Sequence, residues 1–492
     1  MDTTENDTLQ LAIYKQALAL YQEGKCSEVL SGMDRIIPEA LSALFFAVAG
    51  SCAHALGRYD EAEHHWRSAI SMQKDYIDAY NDLGILFKTL KRFDESESMF
   101  SQAIKLAPQD PKLYNNIANL FRETECFEKA ETGYKKAVQL DPQYTEAYRN
   151  LGMMYKALHR YEEAETAYKE ALKITPDCVR TQANLGYLLL ELGRYPEGWP
   201  LYETRYDPRI NPTFPAYEFS FAQWRGEPLR GKTILLVSEQ GYGDDIQFVR
   251  FAALLKERGA RITLMCKQPL QRLFSILPEI DHLIDMTETP QKHDYWNFLL
   301  SVPLYLGTTM ETIPDRLPYL QILPEWSNEK LTLPVGGFKV GLVWKGSAEH
   351  GNDSNRSLPR LGMLEPLWSV PNVTFVSLQK EMLSDNQTKQ PIIEREIDDF
   401  ADTAVLISQL DLVICVDTSI AHLCGALGKT CWVLLPFIGC DWRWMNDRDD
   451  SPWYPKVMRL FRQTNPNKWD ETIAKIVLEL SDEVAKQLLK QN

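Results

Sequence analysis

A glycine-rich turn directly follows a predicted buried strand near the middle of the chain. It reads EQGYGDDIQF over residues 239–248, and Gly241 and Gly243 permit a sharp strand-to-helix turn that exposes backbone N–H groups. Asp244, between them and the predicted helix, is a candidate general base. It is also a candidate N-cap, because Asp244 followed by Gln247 fits a capping box. One carboxylate could fill both roles.

A second loop of chemical interest lies near the end of the chain, in VDTSIAHLCGALGK. A strand is predicted to end at Asp417, and a helix to begin near Ser419 and stop at Gly428. A helix start collects unpaired N–H groups and a partial positive charge, which suits a diphosphate. Thr418 or Ser419 could instead merely cap that helix. His422 lies one turn inside it, and a packed and a functional role are equally supported.

Two basic residues complete the candidate site, Lys345 after a predicted strand and Arg356 ahead of Ser-Leu-Pro. With the helix start at Thr418 and Ser419, they could stabilise the charge that gathers on a departing phosphate. Such chemistry needs no metal ion, and we predict no metal site. An Asp-x-Asp sequence does occur at residues 447–449, but it falls in a late polar loop.

Aromatic residues are dense in the loop GCDWRWMNDRDDSPWYP, where Arg443 stands between Trp442 and Trp444. Together with Trp453 and Tyr454, these rings could stack on a base or a sugar. They could equally pack the floor of a cleft or the junction with the preceding helices. The sequence leaves both alternatives open.

The second half of the chain alternates short apolar runs with helical patterns, which predicts an α/β fold built of βαβ units. The predicted strands are ILLVS, RITLMC, HLIDM, KVGLVW, VTFVSL, LDLVICV and CWVLLPF. We expect two Rossmann-like lobes at residues 231–335 and 336–492, preceded by a linker at 206–230. Ligands of such sheets bind beyond the carboxyl ends of the strands, where both candidate loops lie. Ile246 replaces the third glycine of G-x-G-x-x-G, which disfavours a nicotinamide dehydrogenase.

Residues 1–205 carry a repeat with a period of 34 residues. Prolines recur at this spacing, as do an aliphatic residue and the glycine or alanine after it; the rows are Pro108/Pro142/Pro176, Leu83/Ile117/Leu151/Leu185 and Gly84/Ala118/Gly152/Gly186. The pattern resembles the tetratricopeptide family, whose repeats are helix-turn-helix pairs. We therefore predict an all-α solenoid of five or six units, with a degenerate cap over residues 9–37. Such a solenoid curves into a groove suited to protein segments, although a spacer or oligomerisation arm is the alternative.

The amino-acid composition limits the binding partners and the cellular compartment that we expect for this protein. The formal charge of −15 opposes binding to nucleic acid, and the longest apolar stretch, residues 40–56, is too short and too polar to span a membrane. The acidic start MDTTENDTLQ lacks the features of a secretory signal. Nine scattered cysteines without a C-x-x-C pair fit a reducing compartment. We expect a cytoplasmic protein without a membrane span.

The candidate site also resembles a family. The D-T-S-x-x-H-L-x-x-A-L-G-K run and the glycine-Asp turn look like the ADP-heptose glycosyltransferases, which are of family 9 type and have a GT-B fold. The resemblance covers about residues 233–462. It implies that Asp244 is the base, that Thr418, Ser419 and His422 hold the donor phosphates, and that Arg356 contacts the donor. The tryptophan of the family's K-x-W-P element is absent, and Arg356 stands where lysine is usual.

The combination of a tetratricopeptide arm with a compact transferase is similar to bacterial flagellin glycosyltransferases. The resemblance implies transfer of a sugar, such as a nonulosonic acid, from a nucleotide-sugar to Ser or Thr of an acceptor protein such as flagellin, docked in the solenoid groove. No further cofactor is expected. O-GlcNAc transferases also join these two parts, but DTSIAHL favours the heptosyltransferase-like branch. The alternatives are a non-catalytic scaffold with a degenerate transferase lobe, or a transferase that builds surface or lipid-linked glycans.

Overall fold

The computed structural model describes residues 3–32, 41–214, 217–380, 391–466 and 468–491. The chain divides into two compact units, Met1–Thr181 and Gln182–Asn492. The first unit is all-helical and the second combines helices with parallel sheets. This agrees with the predicted succession of a helical solenoid and an α/β part. Part of the predicted cap, residues 33–37, lies outside the described residues.

Helix hairpins make up the first unit. Within its described residues the helices are α1 (Thr3–Gln22), α2 (Cys26–Gly32), α3 (Ala43–Ala55), α4 (Tyr59–Met72), α5 (Ile77–Thr89), α6 (Phe93–Leu106), α7 (Pro111–Glu123), α8 (Phe127–Leu140), α9 (Thr145–Ala157) and α10 (Tyr161–Ile174). The second helix of each later pair ends two residues before a proline of the repeat, Pro108, Pro142 or Pro176. Proline ends a helix because it lacks the N–H and clashes with the preceding turn.

The small residue in each repeat is required by close helix packing. A Cβ atom added to Gly84 would lie 2.7 Å from the ring of Phe100, and one added to Gly152 would lie 2.5 Å from the ring of Tyr168. Both distances are far below van der Waals contact. The aromatic rows of the second helices therefore fill the space that glycine leaves on the first helices.

An arginine just before the second helix of a repeat pairs with a glutamate of the preceding repeat, as Arg160 does with Glu131 and Arg92 with Glu63. We call these contacts the Arg–Glu ladder. Arg160 donates to Glu131 of α8 at 2.6 Å and to Glu163 of its own helix at 2.6 Å, and it stacks over Tyr155 at 4.3 Å. This pairing lowers the pKa of Glu131 to about 2, with the Arg160 hydrogen bond as the largest cause.

The ladder is interrupted between two of its positions, Arg92 and Arg160. Arg92 makes the equivalent contacts with Glu63 at 2.6 Å and Glu95 at 2.7 Å. Cys126 occupies the intermediate position, where it is exposed, and Lys129 stands in place of the glutamate. At this position the side-chain contact between the repeats is that of Lys129 with Glu97 at 3.6 Å, which is longer than the 2.6 Å contacts of Arg92 and Arg160.

The second unit contains the sheets. Its described helices are α11 (Val179–Glu191), which begins just before the unit boundary, α12 (Tyr195–Tyr202), α13 (Tyr242–Phe248), α14 (Phe251–Glu257), α15 (Gln268–Phe274), α16 (Val302–Leu306), α17 (Asp353–Arg356), α18 (Phe400–Ser408), α19 (Ser419–Ala426) and α20 (Asp470–Gln491). Its strands are β1 (Ala222–Gln223), β2 (Thr233–Val237), β3 (Arg261–Cys266), β4 (His282–Asp285), β5 (Tyr295–Phe298), β6 (Phe338–Val343), β7 (Val373–Ser377), β8 (Ile392–Ile393), β9 (Leu412–Val416), β10 (Cys431–Leu435) and β11 (Met458–Arg462).

These strands form two parallel sheets, one in each lobe. In the described residues the first has the order β1-β5-β2-β3-β4 and the second the order β11-β10-β9-β6-β7-β8. In the first sheet β3 and β4 lie on one side of β2 and β5 lies on its other side. In the second sheet β7 and β8 lie on one side of β6 and β9 lies on its other side. Such switch points open a crevice at the carboxyl ends of the strands, where ligands bind in α/β proteins.

Helix α12 is built into the core of the second unit, although the sequence assigns it to the solenoid that ends at 205. Tyr195 and Trp199 are fully buried against Trp442, with ring centroids 6.0 and 5.5 Å away. The indole N–H of Trp199 donates to the carbonyl of Thr308 at 3.0 Å. This aromatic packing joins α12 to the sheets, and the division between the two compact units falls after Thr181, ahead of α12.

No helix in the described parts of the chain combines the length and the apolar character needed to cross a bilayer.

Candidate functional site

The turn after β2 enters α13 with Gly241 at the N-cap. Asp244 is the third residue of this helix, and its Oδ2 accepts the backbone N–H of Gly241 at 2.9 Å. Asp244 therefore does contribute to capping, but from inside the helix and not from the N-cap that the spacing to Gln247 predicted. The helix begins three residues earlier because a glycine N-cap leaves room for the sharp turn out of β2.

The other oxygen of Asp244 pairs with a residue of the second lobe. Its Oδ1 accepts a hydrogen bond from Nη2 of Arg443, which lies in the loop after β10. The Asp244 side chain is 18% exposed, so it retains access to solvent. Sequence reasoning placed Arg443 only among the aromatic residues of its loop, since nothing local marks a partner 199 residues away.

Two further carboxylates of this turn are buried and were not predicted as site residues. Glu239 forms a two-pronged ion pair with Arg205 at 2.7 and 2.9 Å, and burial raises its pKa. Asp245 pairs with Lys267 at 2.8 Å, and burial raises its pKa to about 6. The run of acidic residues around the two glycines could have indicated Glu239 and Asp245 as site residues. Their basic partners, Arg205 and Lys267, lie far away in sequence and could not be inferred.

The loop after β9 places Asp417, Thr418 and Ser419 at the switch point of the second sheet. Thr418 is the N-cap of α19, yet its side chain makes no capping bond, and its buried hydroxyl has no hydrogen-bond partner among the described residues. Burial raises the pKa of Asp417 to about 6, and the charge of Asp441 adds to the effect. Ser419 is the first residue of the helix, as predicted.

His422 is a packed residue of α19. It is 7% exposed, its ring stacks on Trp444 at 5.2 Å, and its Nδ1 lies 2.9 Å from the hydroxyl of Tyr454. Burial, followed by the nearby charge of Arg443, lowers its pKa to about 3. At neutral pH the imidazole is therefore uncharged, and it can interact with a phosphate only as a neutral hydrogen-bonding group.

Helices α13 and α19 meet directly, so the two predicted loops are brought together. A Cβ atom added to Gly243 would lie 2.7 Å from the ring of His422 and 3.2 Å from Cα of Ser419. Glycine at this position is thus required by the approach of the two lobes as well as by the turn.

Lys345 and Arg356 follow β6, the strand next to β9. Lys345 is exposed, and among the described residues its ammonium group has no carboxylate partner. Arg356, at the end of α17, is only 13% exposed and makes a long 3.4 Å contact with Asp353. Its positive charge partly offsets the burial that raises the pKa of Asp417, which places Arg356 and Asp417 in one electrostatic environment.

The aromatic loop after β10 serves packing. Trp444, Trp453 and Tyr454 are fully buried, and Trp442 is 3% exposed. The indole N–H of Trp453 donates to the hydroxyl of Tyr195 at 3.0 Å. Of the two alternatives left open by the sequence, the structure favours packing at the junction with the preceding helices over stacking on a ligand.

Metal ligands are not grouped in the part of the chain that the structure describes: no three His, Cys, Asp or Glu side chains there lie close enough to hold an ion. The charged groups at the switch points are instead arranged as carboxylates facing fixed cations. This arrangement can orient an anionic ligand and accept a proton without an ion.

Comparison with known proteins identifies the repeat. Models described as tetratricopeptide repeat match residues 110–177, 49–111 and 150–209. The chain therefore contains tetratricopeptide repeats, as the 34-residue period predicted. The last match extends through α11 and α12, so it reaches into the second compact unit.

Individual proteins are similar to parts of the chain. Protein FlbA of Caulobacter vibrioides is 27% identical over 318 residues, which is 58% of this chain and 52% of FlbA, so the chain spans about half the length of this curated relative. Among solved structures, pilF of Pseudomonas aeruginosa is 15% identical, with 42% of this chain and 95% of that chain covered and a TM-score of 0.37. The tetratricopeptide protein TTC0263 of Thermus thermophilus is 19% identical, with 37% and 99% covered and a TM-score of 0.33.

Proposed function

We propose that residues 182–492 form a metal-independent glycosyltransferase of the GT-B type. It would move a sugar from a nucleotide-sugar donor to a Ser or Thr side chain of an acceptor protein, with flagellin as the leading candidate. The tetratricopeptide repeats would bind that acceptor, since helical repeats present grooves for protein segments.

The observation that carries this proposal is the meeting of α13 and α19 at the switch points of two parallel sheets. Asp244 approaches from one lobe, while the start of α19, Lys345 and Arg356 belong to the other. A donor held between them would have its phosphates against N–H groups and fixed cations. The acceptor hydroxyl would face the carboxylate.

The reaction follows from these roles. The acceptor oxygen forms a bond with the anomeric carbon while the bond from that carbon to the phosphate oxygen breaks. The acceptor proton passes to Asp244, and the departing nucleotide keeps the electron pair as negative charge. The helix start would stabilise that charge because its N–H groups are fixed before the reaction begins, and the positive charges of Lys345 and Arg356 would add to the effect.

A second candidate function is a scaffold without catalysis, and the Asp244–Arg443 ion pair favours it. Both oxygens of Asp244 accept hydrogen bonds within the protein, and α13 lies directly against the start of α19. A site that never opens would bind no donor. Donor binding therefore separates the two functions.

The test begins with calorimetric titration of the full-length protein with UDP-, GDP-, ADP- and CMP-sugars. We expect one donor to bind, and Arg356→Gln to weaken it by about 10-fold or more, as loss of a charge-assisted hydrogen bond does. Arg459→Gln is a matched control, because Arg459 of β11 pairs with Glu479 of α20 at 2.6 Å and, in the part of the chain that the structure describes, has no hydrogen bond or ion pair with a candidate residue. Binding of no donor would support the scaffold.

Catalysis is tested with the donor so identified. Asp244→Asn should retain donor binding and lose sugar transfer, measured as the intact mass of flagellin incubated with the enzyme. Transfer at the wild-type rate by Asp244→Asn would exclude Asp244 as the base. Transfer to a glycan or lipid acceptor but not to protein would favour assembly of surface glycans.

A further inference from the structure

Arg443 is a charged residue buried in the core of the second unit. It is 4% exposed, and its guanidinium lies over the rings of Trp442 at 4.5 Å and Phe248 at 5.4 Å. A buried guanidinium must be paired, because leaving water is costly for a charge. Its partners are two carboxylates, Asp441 of its own loop and Asp244 of the other lobe.

Asp441 fixes the position of Arg443 within the loop. Its Oδ1 accepts the backbone N–H of Arg443 at 2.9 Å, and both of its oxygens accept from Nη1 at 3.0 and 2.9 Å. Burial opposes the charge on Asp441, but Arg443 outweighs it and lowers the pKa of this carboxyl. Arg443 is thus held by main chain, carboxylate and aromatic rings before it reaches across to Asp244.

Asp244 is consequently held by two donors that come from opposite lobes. The N–H of Gly241 binds Oδ2 and the guanidinium of Arg443 binds Oδ1. Donors on both oxygens restrain the plane of the carboxylate more than a donor on one oxygen would. A base must present its oxygen within hydrogen-bond distance of the proton that it accepts.

We propose that Arg443 is the positioning residue for Asp244, acting on the reaction through that carboxylate and not through the donor. This inference rests on the proposed function, since it assigns to the loop after β10 the orientation of the base. Asp441 holds Arg443 in place, and the rings of Trp442 and Phe248 restrict the direction in which its guanidinium can point.

Steady-state kinetics of the full-length protein test the proposal. Arg443→Gln should lower kcat about 100-fold, the loss typical of a misplaced catalytic group, and leave the donor KM nearly unchanged. Arg443→Lys should recover part of kcat, because an ammonium group can reach one carboxylate but cannot bridge both. Arg459→Gln should behave as wild type. An unchanged kcat in Arg443→Gln, or a raised donor KM alone, would overturn the proposal.

A double variant separates positioning from a general loss of structure. If Arg443 acts through Asp244, then Asp244→Asn with Arg443→Gln should be no slower than Asp244→Asn alone. Multiplicative losses would show that the two residues act independently and would refute the proposal.

Hydrogen exchange gives a readout that does not depend on turnover. Amides of residues 241–248 should exchange faster in Arg443→Gln than in wild type or Arg459→Gln, because the carboxylate that caps Gly241 is no longer held. Equal exchange would overturn the proposal. Faster exchange in a protein that binds no donor would mean that Arg443 holds Asp244 as inferred, while the proposed transferase function has failed.

Discussion

Restoring the Arg–Glu ladder at its interrupted position should stabilise the α7–α8 pair. The variant Cys126→Arg with Lys129→Glu gives this repeat the residues that its neighbours have at Arg92 and Arg160. The new arginine would face Glu97 of α6, which now pairs with the more distant ammonium of Lys129 at 3.6 Å. It would also lie near Phe121, as Arg160 lies over Tyr155.

The magnitude follows from the intact positions. Two partly exposed ion pairs contribute about 0.3–0.5 kcal/mol each, and a cation–π contact contributes about 0.5–1 kcal/mol. The variant loses the ion pair of Lys129 with Glu97 and its cation–π contact with Phe121 at 4.8 Å, which by the same values contribute about 0.8–1.5 kcal/mol together. The net gain is about 0.3–0.5 kcal/mol, or roughly a 2-fold smaller population of the locally open repeat.

Hydrogen exchange measured by mass spectrometry resolves this effect in the full-length protein. Peptides from α7 and α8 should exchange about 2-fold more slowly in the variant, and the difference should shrink in 1 M salt, which screens exposed ion pairs. Cys126→Ser is the control for loss of the thiol. The reasoning is refuted if the double variant exchanges as fast as Cys126→Ser, or if its protection is indifferent to salt.

Three further predictions concern buried polar groups. Burial raises the pKa of Asp82 to about 6, so the folded state favours the protonated acid; this contribution is present at low pH and lost as pH rises through 6. Asp82→Asn, which copies Asn116 and Asn150 of the next repeats, should therefore stabilise the protein at pH 7 by about 1 kcal/mol in urea unfolding and by less at pH 4.5; an equal gain at both values would contradict this. Gln247 is fully buried and neither polar atom of its amide has a partner in the described residues, so Gln247→Met should raise the midpoint of thermal unfolding, and a lowered midpoint would show that the amide is satisfied. Because the pKa of His422 is about 3, His422→Gln should change donor affinity by the same factor at pH 5.5 and pH 8 in calorimetry; a pH-dependent factor would mean that this histidine titrates.

Local patterns predicted much of this fold. The 34-residue period predicted the helix pairs, because each repeat needs the same small residues, aromatics and prolines. The seven predicted strands are all present, since a fully buried parallel strand appears in sequence as a continuous apolar run. Strands β1, β5, β8 and β11 were not predicted, because β1 and β8 are only two residues long and YWNF and MRLFR mix polar residues into short runs.

The site was less predictable because its contacts are long-range. Sequence identified the turn at Gly241 and the helix start at Ser419, which depend on neighbouring residues. It could not indicate that Arg443 reaches Asp244, or that Lys267 neutralises Asp245, since folding alone brings these residues together. The sequence likewise did not predict the burial of His422, because the third residue after Ser419 could lie either in the core or at the surface.

The packing of α12 has a practical consequence for dividing the protein. A cut at the predicted linker would remove Tyr195 and Trp199 and leave Trp442 and Trp453 uncovered on the remaining fragment. Exposed aromatic surface of this kind promotes aggregation. A fragment meant to retain the sheets in soluble form should therefore begin at or before residue 182, and part of the last repeat must be retained with it.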